Sequence, residues 1–168
     1  MVQKFLKPHP TGRGMQEVAA ATTGGAPDAN QIPELDANGR LPSAMMPTGI
    51  GADTATIVAS ENIAAGGAVN IYDNGGTISI RNADRSSGKP AHGFIREAVN
   101  SAANGEVYFE GNNDGVTGLT PGQDYWLGLN GAYAASPTNT ATEVRQYLGV
   151  ATSATSLNWE AEQPIVIA

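Results

Sequence analysis

Turn-forming residues interrupt the chain at short and nearly even intervals from about Gly49 onward. The clearest clusters of glycine, asparagine and proline are Ala65–Gly67, Asp73–Gly76, Ser87–Pro90, Gly111–Gly118 and Thr120–Gly122. Short strand candidates lie between these turns, and Ser60–Ala65 and Thr140–Val144 are too short for more than about a turn of helix. The sequence therefore predicts an all-β body over residues 48–168, built as a compact antiparallel β-sandwich or barrel.

The segment Thr77–Arg81 gives the clearest strand signal, because Ile78 and Ile80 alternate with polar residues and fall on one face. The turn sequence of Tyr72–Thr77 predicts a hairpin that leads into it. We predict further strands at Thr54–Ala59, Ala68–Tyr72, Gly93–Val99, Glu106–Glu110, Asp124–Leu129, Arg145–Ala151, Ser156–Trp159 and Ile165–Ile167.

Residues 1–47 differ from the body, since they contain six of the ten prolines. Proline fixes φ and removes a hydrogen-bond donor, which disfavours long helices and central strands. We therefore predict an extended N-terminal arm with little regular structure and one possible short helix, roughly Met15–Ala21. Its apolar residues come singly or in pairs: Phe5, Leu6, Ile32, Leu35, Leu41, Met45 and Met46.

Two interpretations of this arm remain open, a flexible tail and a segment whose apolar side chains fill pockets on a partner. Leu, Ile, Val and Phe together make up only 31 of 168 residues. Chains so poor in these residues often stay disordered, but charged residues are also scarce at 15%. Isolated apolar residues placed between turns favour the partner-binding interpretation, since a pure linker does not need them.

Composition also limits the partners of the chain. The net charge is −7, with 9 basic and 16 acidic residues, which argues against direct nucleic-acid binding. No apolar run is long enough for a membrane span, and the N-terminus lacks the apolar stretch of a signal peptide. The absence of cysteine excludes disulfides, thiolate nucleophiles and thiolate metal sites.

No pattern in the sequence predicts a catalytic site, a metal or a cofactor. The two histidines, His9 and His92, are far apart, and we expect His92 to be a hydrogen-bonded structural residue. The run Glu110–Gly115 begins like a calcium loop, but Pro121 stands where the last ligand should be. Paired carboxylates for glycoside hydrolysis stay open, because the body holds 12 acidic residues, but the prediction is that the protein is not an enzyme.

The stretch Ile32–Asp53, with the sequence IPELDANGRLPSAMMPTGIGAD, resembles a connector found in head decoration (capsid cement) proteins of tailed bacteriophages. Later segments are similar too, and the resemblance covers roughly residues 26–168. These segments are Ala59–Gly67, Arg81–Asp84, Ala91–Ile95, Leu119–Gly122, Tyr125–Leu127, Gln146–Ala151 and Pro164–Ile167.

This resemblance implies a homotrimeric structural protein on the outer surface of a phage capsid. It would stabilise the shell by clamping neighbouring major capsid subunits through the apolar residues of the arm, with no cofactor. An alternative is a tail or head fibre component that binds a host surface glycan. Tyr125, Trp126 and Tyr133 are its candidate stacking rings, although we expect Trp126 to be a core residue.

Overall fold

The regular secondary structure of the described residues is almost entirely β-strand, which confirms the predicted fold class. The computed structural model describes residues 4–21, 31–35, 39–41, 45–46 and 53–168. Its Cα positions divide into two compact units, residues 1–51 and residues 52–168.

The first half of the second unit is a closed five-stranded barrel. Its strands follow one another around the barrel in the order β3-β5-β4-β6-β7, and only the β3–β5 pair is parallel. Their bounds are β3 Thr54–Ala59, β4 Ala68–Asp73, β5 Ile78–Asn82, β6 Gly93–Phe94 and β7 Asn104–Tyr108. The predicted hairpin at Tyr72–Thr77 joins β4 to β5, so this prediction is confirmed.

The second half forms a five-stranded antiparallel sheet in the order β10-β9-β12-β13-β8. A separate pair, β11 with β14, places the segment Ile165–Val166 in a ladder as predicted. The bounds are β8 Gly111–Asn113, β9 Asp124–Leu127, β10 Tyr133–Ala134, β11 Val144–Arg145, β12 Tyr147–Ser153, β13 Ser156–Trp159 and β14 Ile165–Val166.

Two apolar cores stabilise this unit, one on each side of the barrel wall. Val69, Ile80 and Val107 are fully buried in the barrel core. Ala68 and Phe94 are paired partners on neighbouring strands and belong instead to the second core, which Leu148 and other residues of the sheet complete. The second sheet therefore packs against the outer face of the barrel at these strands.

Two buried polar side chains connect segments that are distant in sequence. The Gln146 amide accepts a hydrogen bond from the Ala91 N–H at 2.8 Å and donates to the Ala91 carbonyl at 2.9 Å. Asp84 precedes a short 3-10 helix, Arg85–Ser87, and accepts from its N–H groups and from the Asn130 N–H. Both side chains are almost fully buried, and hydrogen bonds satisfy their polar atoms as is usual for buried polar groups.

The predicted strand Gly93–Val99 is only partly formed, because β6 ends at Phe94. After Phe94 the chain leaves the barrel ladder, and the Ile95 N–H donates to the Gly67 carbonyl at 3.1 Å. Within the described part of the chain, no helix is long and apolar enough to cross a membrane.

The N-terminal unit contains a hairpin where the sequence suggested a short helix. Strands β1, Lys4–Pro8, and β2, Met15–Ala19, pair over five positions, so the helix prediction at Met15–Ala21 is wrong. Along β2, half-buried Gln16 and Val18 alternate with exposed neighbours, which is the period of a strand. Gly14 has a φ of +102°, which permits the reversal of the chain just before β2.

Candidate functional site

The hairpin of the N-terminal unit has one half-buried and one exposed face. Phe5 lies opposite Val18, and both are half-buried. Leu6 and Met15 project from the other face with 64% and 58% of their surface exposed. On that face the Lys4 ammonium lies 3.2 Å from the Glu17 carboxylate, an exposed ion pair of small energetic value.

A second segment, Ile32–Leu35, lies beside the end of this hairpin. The Ala21 N–H donates to the Ile32 carbonyl at 2.9 Å, and the Glu34 N–H donates to the Ala21 carbonyl at 2.8 Å. These two bonds form a parallel bridge between Ala21 and Pro33. They hold residues that are more than ten positions apart in the sequence next to each other.

An open cleft of about 460 Å³ lies between the hairpin and this segment. The structure brings three of the predicted docking residues, Phe5, Ile32 and Leu35, into its lining, together with Lys4, Ala20, Pro33 and Glu34. Ile32 and Leu35 each keep more than half of their surface exposed. The cleft thus presents apolar side chains at its rim, in a shape that can accept an apolar group from another molecule.

The other four predicted residues lie outside the lining of this cleft. Leu6 is on the opposite face of the hairpin, Leu41 and Met46 are exposed, and Met45 is half-buried. Parts of the connector phrase, residues 36–38, 42–44 and 47–52, lie outside the described residues. Met15 is a further exposed apolar residue, and it is absent from the predicted docking residues, which include none from the segment Met15–Ala21 predicted as a helix.

The aromatic residues of the glycan-binding alternative do not form one surface. Tyr125 is buried, and its hydroxyl oxygen accepts a hydrogen bond from the Thr120 N–H at 2.9 Å. The Tyr133 hydroxyl donates to the Gly66 carbonyl, and burial raises the pKa of Tyr133 far above its usual range. Tyr125 and Tyr133 are therefore structural, whereas Trp126 is only half-buried and is not the core residue that we expected.

The motifs considered for metals have structural roles. The Asn113 amide donates to the Gly66 carbonyl, and Asp114 accepts from the Ser156 hydroxyl. Burial lowers the pKa of His92, and its Nδ1 accepts from the Ile71 N–H at 2.9 Å, as predicted for a structural histidine. The described residues hold no group of three or more His, Cys, Asp or Glu side chains suited to a metal ion.

Comparisons with known proteins give one structural similarity. No protein-family model matches the sequence, and no curated protein matches it. Among solved structures, the chain is similar to the head fiber gp8.5 N base of bacteriophage phi29, with 16% sequence identity and a TM-score of 0.44. The similarity covers 64% of this chain and 92% of that one. At this identity and TM-score, the role of the fiber protein is not transferred to this chain.

Proposed function

We propose that this chain is a structural, non-enzymatic protein of a tailed-phage virion that docks on the outer surface of the head through its N-terminal unit. The main observation behind the proposal is the exposed apolar surface of that unit. Leu6, Met15, Ile32, Leu35, Leu41 and Met46 each have 40–64% of their surface exposed. Together with half-buried Phe5 and Met45, we call these residues the docking surface, which includes both faces of the hairpin because Leu6 and Met15 project from the face opposite to Phe5.

Burial of this surface on a partner would provide the binding energy. Fully burying one large aliphatic side chain contributes about 1.5–3 kcal/mol relative to exposure, so several partly exposed ones suffice for stable attachment. The resemblance of Ile32–Asp53 to the connector of capsid decoration proteins supports the major capsid protein as the partner. Attachment across subunit boundaries would favour the assembled shell, since a ligand stabilises the state that it binds.

We further propose that the protein acts as a homotrimer. Three linked copies would engage neighbouring sites at high effective concentration, so modest affinity per copy gives tight attachment. Sedimentation of the purified protein tests this, because a trimer of the 17.2 kDa chain is readily distinguished from a monomer or a dimer.

The docking test compares full-length variants on heads stripped of this protein. Replacing Ile32 and Leu35 by serine removes two side chains at the rim of the cleft, and we expect occupancy to fall by at least about 10-fold. Leu129→Ser is the matched control, because Leu129 is an exposed leucine of the second unit. Equal binding by the double variant and the control would refute the docking surface.

Imaging of virions labelled on this protein distinguishes decoration from the fibre alternative. Decoration predicts label at regular positions over the whole head. A fibre component predicts label at the bases of projecting fibres. Label confined to the tail would exclude docking on the head.

A further inference from the structure

The outer face of the second sheet carries a pair of aromatic rings that the docking surface does not use. Trp126 of β9 and Tyr147 of β12 are direct partners across the strand pair, so they project from the same face. Their ring centroids are 5.9 Å apart and their planes meet at 73°. Tyr125 and Leu127 point into the core on either side of Trp126, which places Trp126 on the outside.

Carboxylates surround this pair. Asp124 lies two residues before Trp126 on the same face, and its Oδ1 is 3.4 Å from the Tyr147 hydroxyl. On the other side of β12, the Glu160 N–H donates to the Leu148 carbonyl at 2.9 Å and the Glu162 N–H donates to the Tyr147 carbonyl at 3.1 Å. The segment with the two glutamates therefore runs alongside Tyr147.

The electrostatics of Tyr147 agree with this arrangement. Partial burial raises the pKa of its hydroxyl, and the negative charges of Asp124, Glu160 and Glu162 raise it further. Asn158 adds an amide beside the same segment, since it donates to the Glu160 carboxylate at 2.6 Å. The rings are thus bordered by several hydrogen-bond acceptors whose net charge is negative.

We propose that this face binds a neutral carbohydrate, with Trp126 and Tyr147 as the stacking rings and Asp124, Glu160 and Glu162 as acceptors for sugar hydroxyls. A pyranose ring has an apolar C–H face, which packs on an aromatic ring, and hydroxyls at its edge, which donate to carboxylates. Because the two ring planes are nearly perpendicular, a sugar that stacks on one ring can contact the other ring with its edge. Three carboxylates of one sign disfavour sialylated or sulfated sugars, because like charges repel.

The test applies full-length protein to an array of neutral hexose and N-acetylhexosamine oligosaccharides that also displays sialylated and sulfated ones. We expect retention on at least one neutral structure and on no acidic one. NMR then locates the site, because the chain has two tryptophans, Trp126 and buried Trp159. The retained oligosaccharide should shift the indole N–H signal of Trp126 and leave that of Trp159 in place.

Substitutions complete the test. Trp126→Ala and Tyr147→Ala should each weaken binding by at least about 10-fold, and Tyr147→Phe by less, because it keeps the ring. Tyr72→Ala is the matched control, since Tyr72 is a half-buried tyrosine of the barrel that packs under Arg81. An unchanged Trp159 signal shows that each variant is folded.

Two results would overturn the proposal. One is an array with no retention, or with retention that Trp126→Ala leaves unchanged. The other is a Trp126 signal that shifts with protein concentration and does not respond to sugar, which would assign this face to a second copy of the chain. The site uses side chains of the second unit alone, so variants at Ile32 and Leu35 should bind sugar normally even if docking fails.

Discussion

Replacing Asp84 by alanine should destabilise the second unit more than the loss of one surface charge would. Asp84 is 6% exposed, and its Oδ1 accepts from the Ser86 N–H at 2.8 Å, the Ser86 hydroxyl at 2.7 Å and the Ser87 N–H at 3.1 Å. Its Oδ2 accepts from the Asn130 N–H at 2.9 Å. One carboxylate thus caps the 3-10 helix and holds the loop before β10.

The magnitude follows from these two roles. Loss of a helix-capping side chain costs about 1 kcal/mol, and loss of a hydrogen bond to a charged group costs about 1.5–3 kcal/mol. Asp84→Ala should therefore lower the free energy of unfolding by about 3 kcal/mol. For a protein of this size, that is a fall in Tm of roughly 10 °C.

The pH dependence gives a second signature of the same residue. Burial alone would raise the pKa of Asp84, but the hydrogen bonds from Ser86, Asn130 and Ser87 outweigh it and hold the pKa below its ordinary value of 3.8. The unfolded chain then binds a proton at higher pH than the folded protein. The stabilisation is complete above about pH 4 and is lost as the pH falls through the pKa of the folded state.

Thermal unfolding followed by circular dichroism measures both effects. At neutral pH, the Tm of Asp84→Ala should lie well below that of the parent protein. The difference between the two Tm values should become smaller when the pH falls below the ordinary pKa of aspartate. Asp53→Asn, a change at an exposed carboxylate, is the control and should melt with the parent. A small difference in Tm at neutral pH, or a difference that stays the same in acid, would refute the role assigned to Asp84.

Two further predictions concern the second sheet and are also measured by thermal unfolding. Gly149→Ala should lower stability by more than about 3 kcal/mol, because a Cβ there would lie 1.9 Å from the Asn158 carbonyl oxygen, at a φ of +146°. Gly75→Ala is the control, because Gly75 has a φ of +65° but an added Cβ there would have no atom within 4 Å. It should cost only the backbone strain of about 1–2 kcal/mol. Equal losses of stability in the Gly149 and Gly75 variants would contradict the steric explanation. Gln146→Leu should cost about 3 kcal/mol, because it leaves the Ala91 N–H and carbonyl buried without partners, and a loss below about 1 kcal/mol would contradict this.

Local sequence patterns predicted most of the strands but not their arrangement. The turn at Asp73–Gly76 and the alternation around Ile80 are set by neighbouring residues, so the hairpin could be predicted. The parallel pairing of β3 with β5, which closes the barrel, joins strands that are not consecutive in the sequence. No local pattern encodes such a pairing, and the sequence therefore left sandwich and barrel as equal possibilities.

The two candidate surfaces could be predicted only in part for the same reason. The pattern of isolated apolar residues predicted Ile32 and Leu35. The cleft, however, depends on the bridge between Ala21 and Pro33, which no local sequence pattern predicts. Of the two adjacent aromatic residues at the start of β9, Trp126 was the one expected in the core, and that expectation is wrong. The fold buries Tyr125 and places half-buried Trp126 on the outer face of the sheet. Tyr147 lies opposite Trp126 because of the register of two strands that are distant in the sequence.

The chain has few large apolar residues, and the two units differ in whether they bury them. The second unit buries enough of these residues to form two complete cores of its own. Six of the ten exposed large apolar side chains among the described residues lie in the much shorter N-terminal unit. Among the described residues of the N-terminal unit, these large apolar side chains therefore stay at the surface and do not enter a core. Such a segment lowers its free energy by burial on another surface, which is the property that an attachment segment requires.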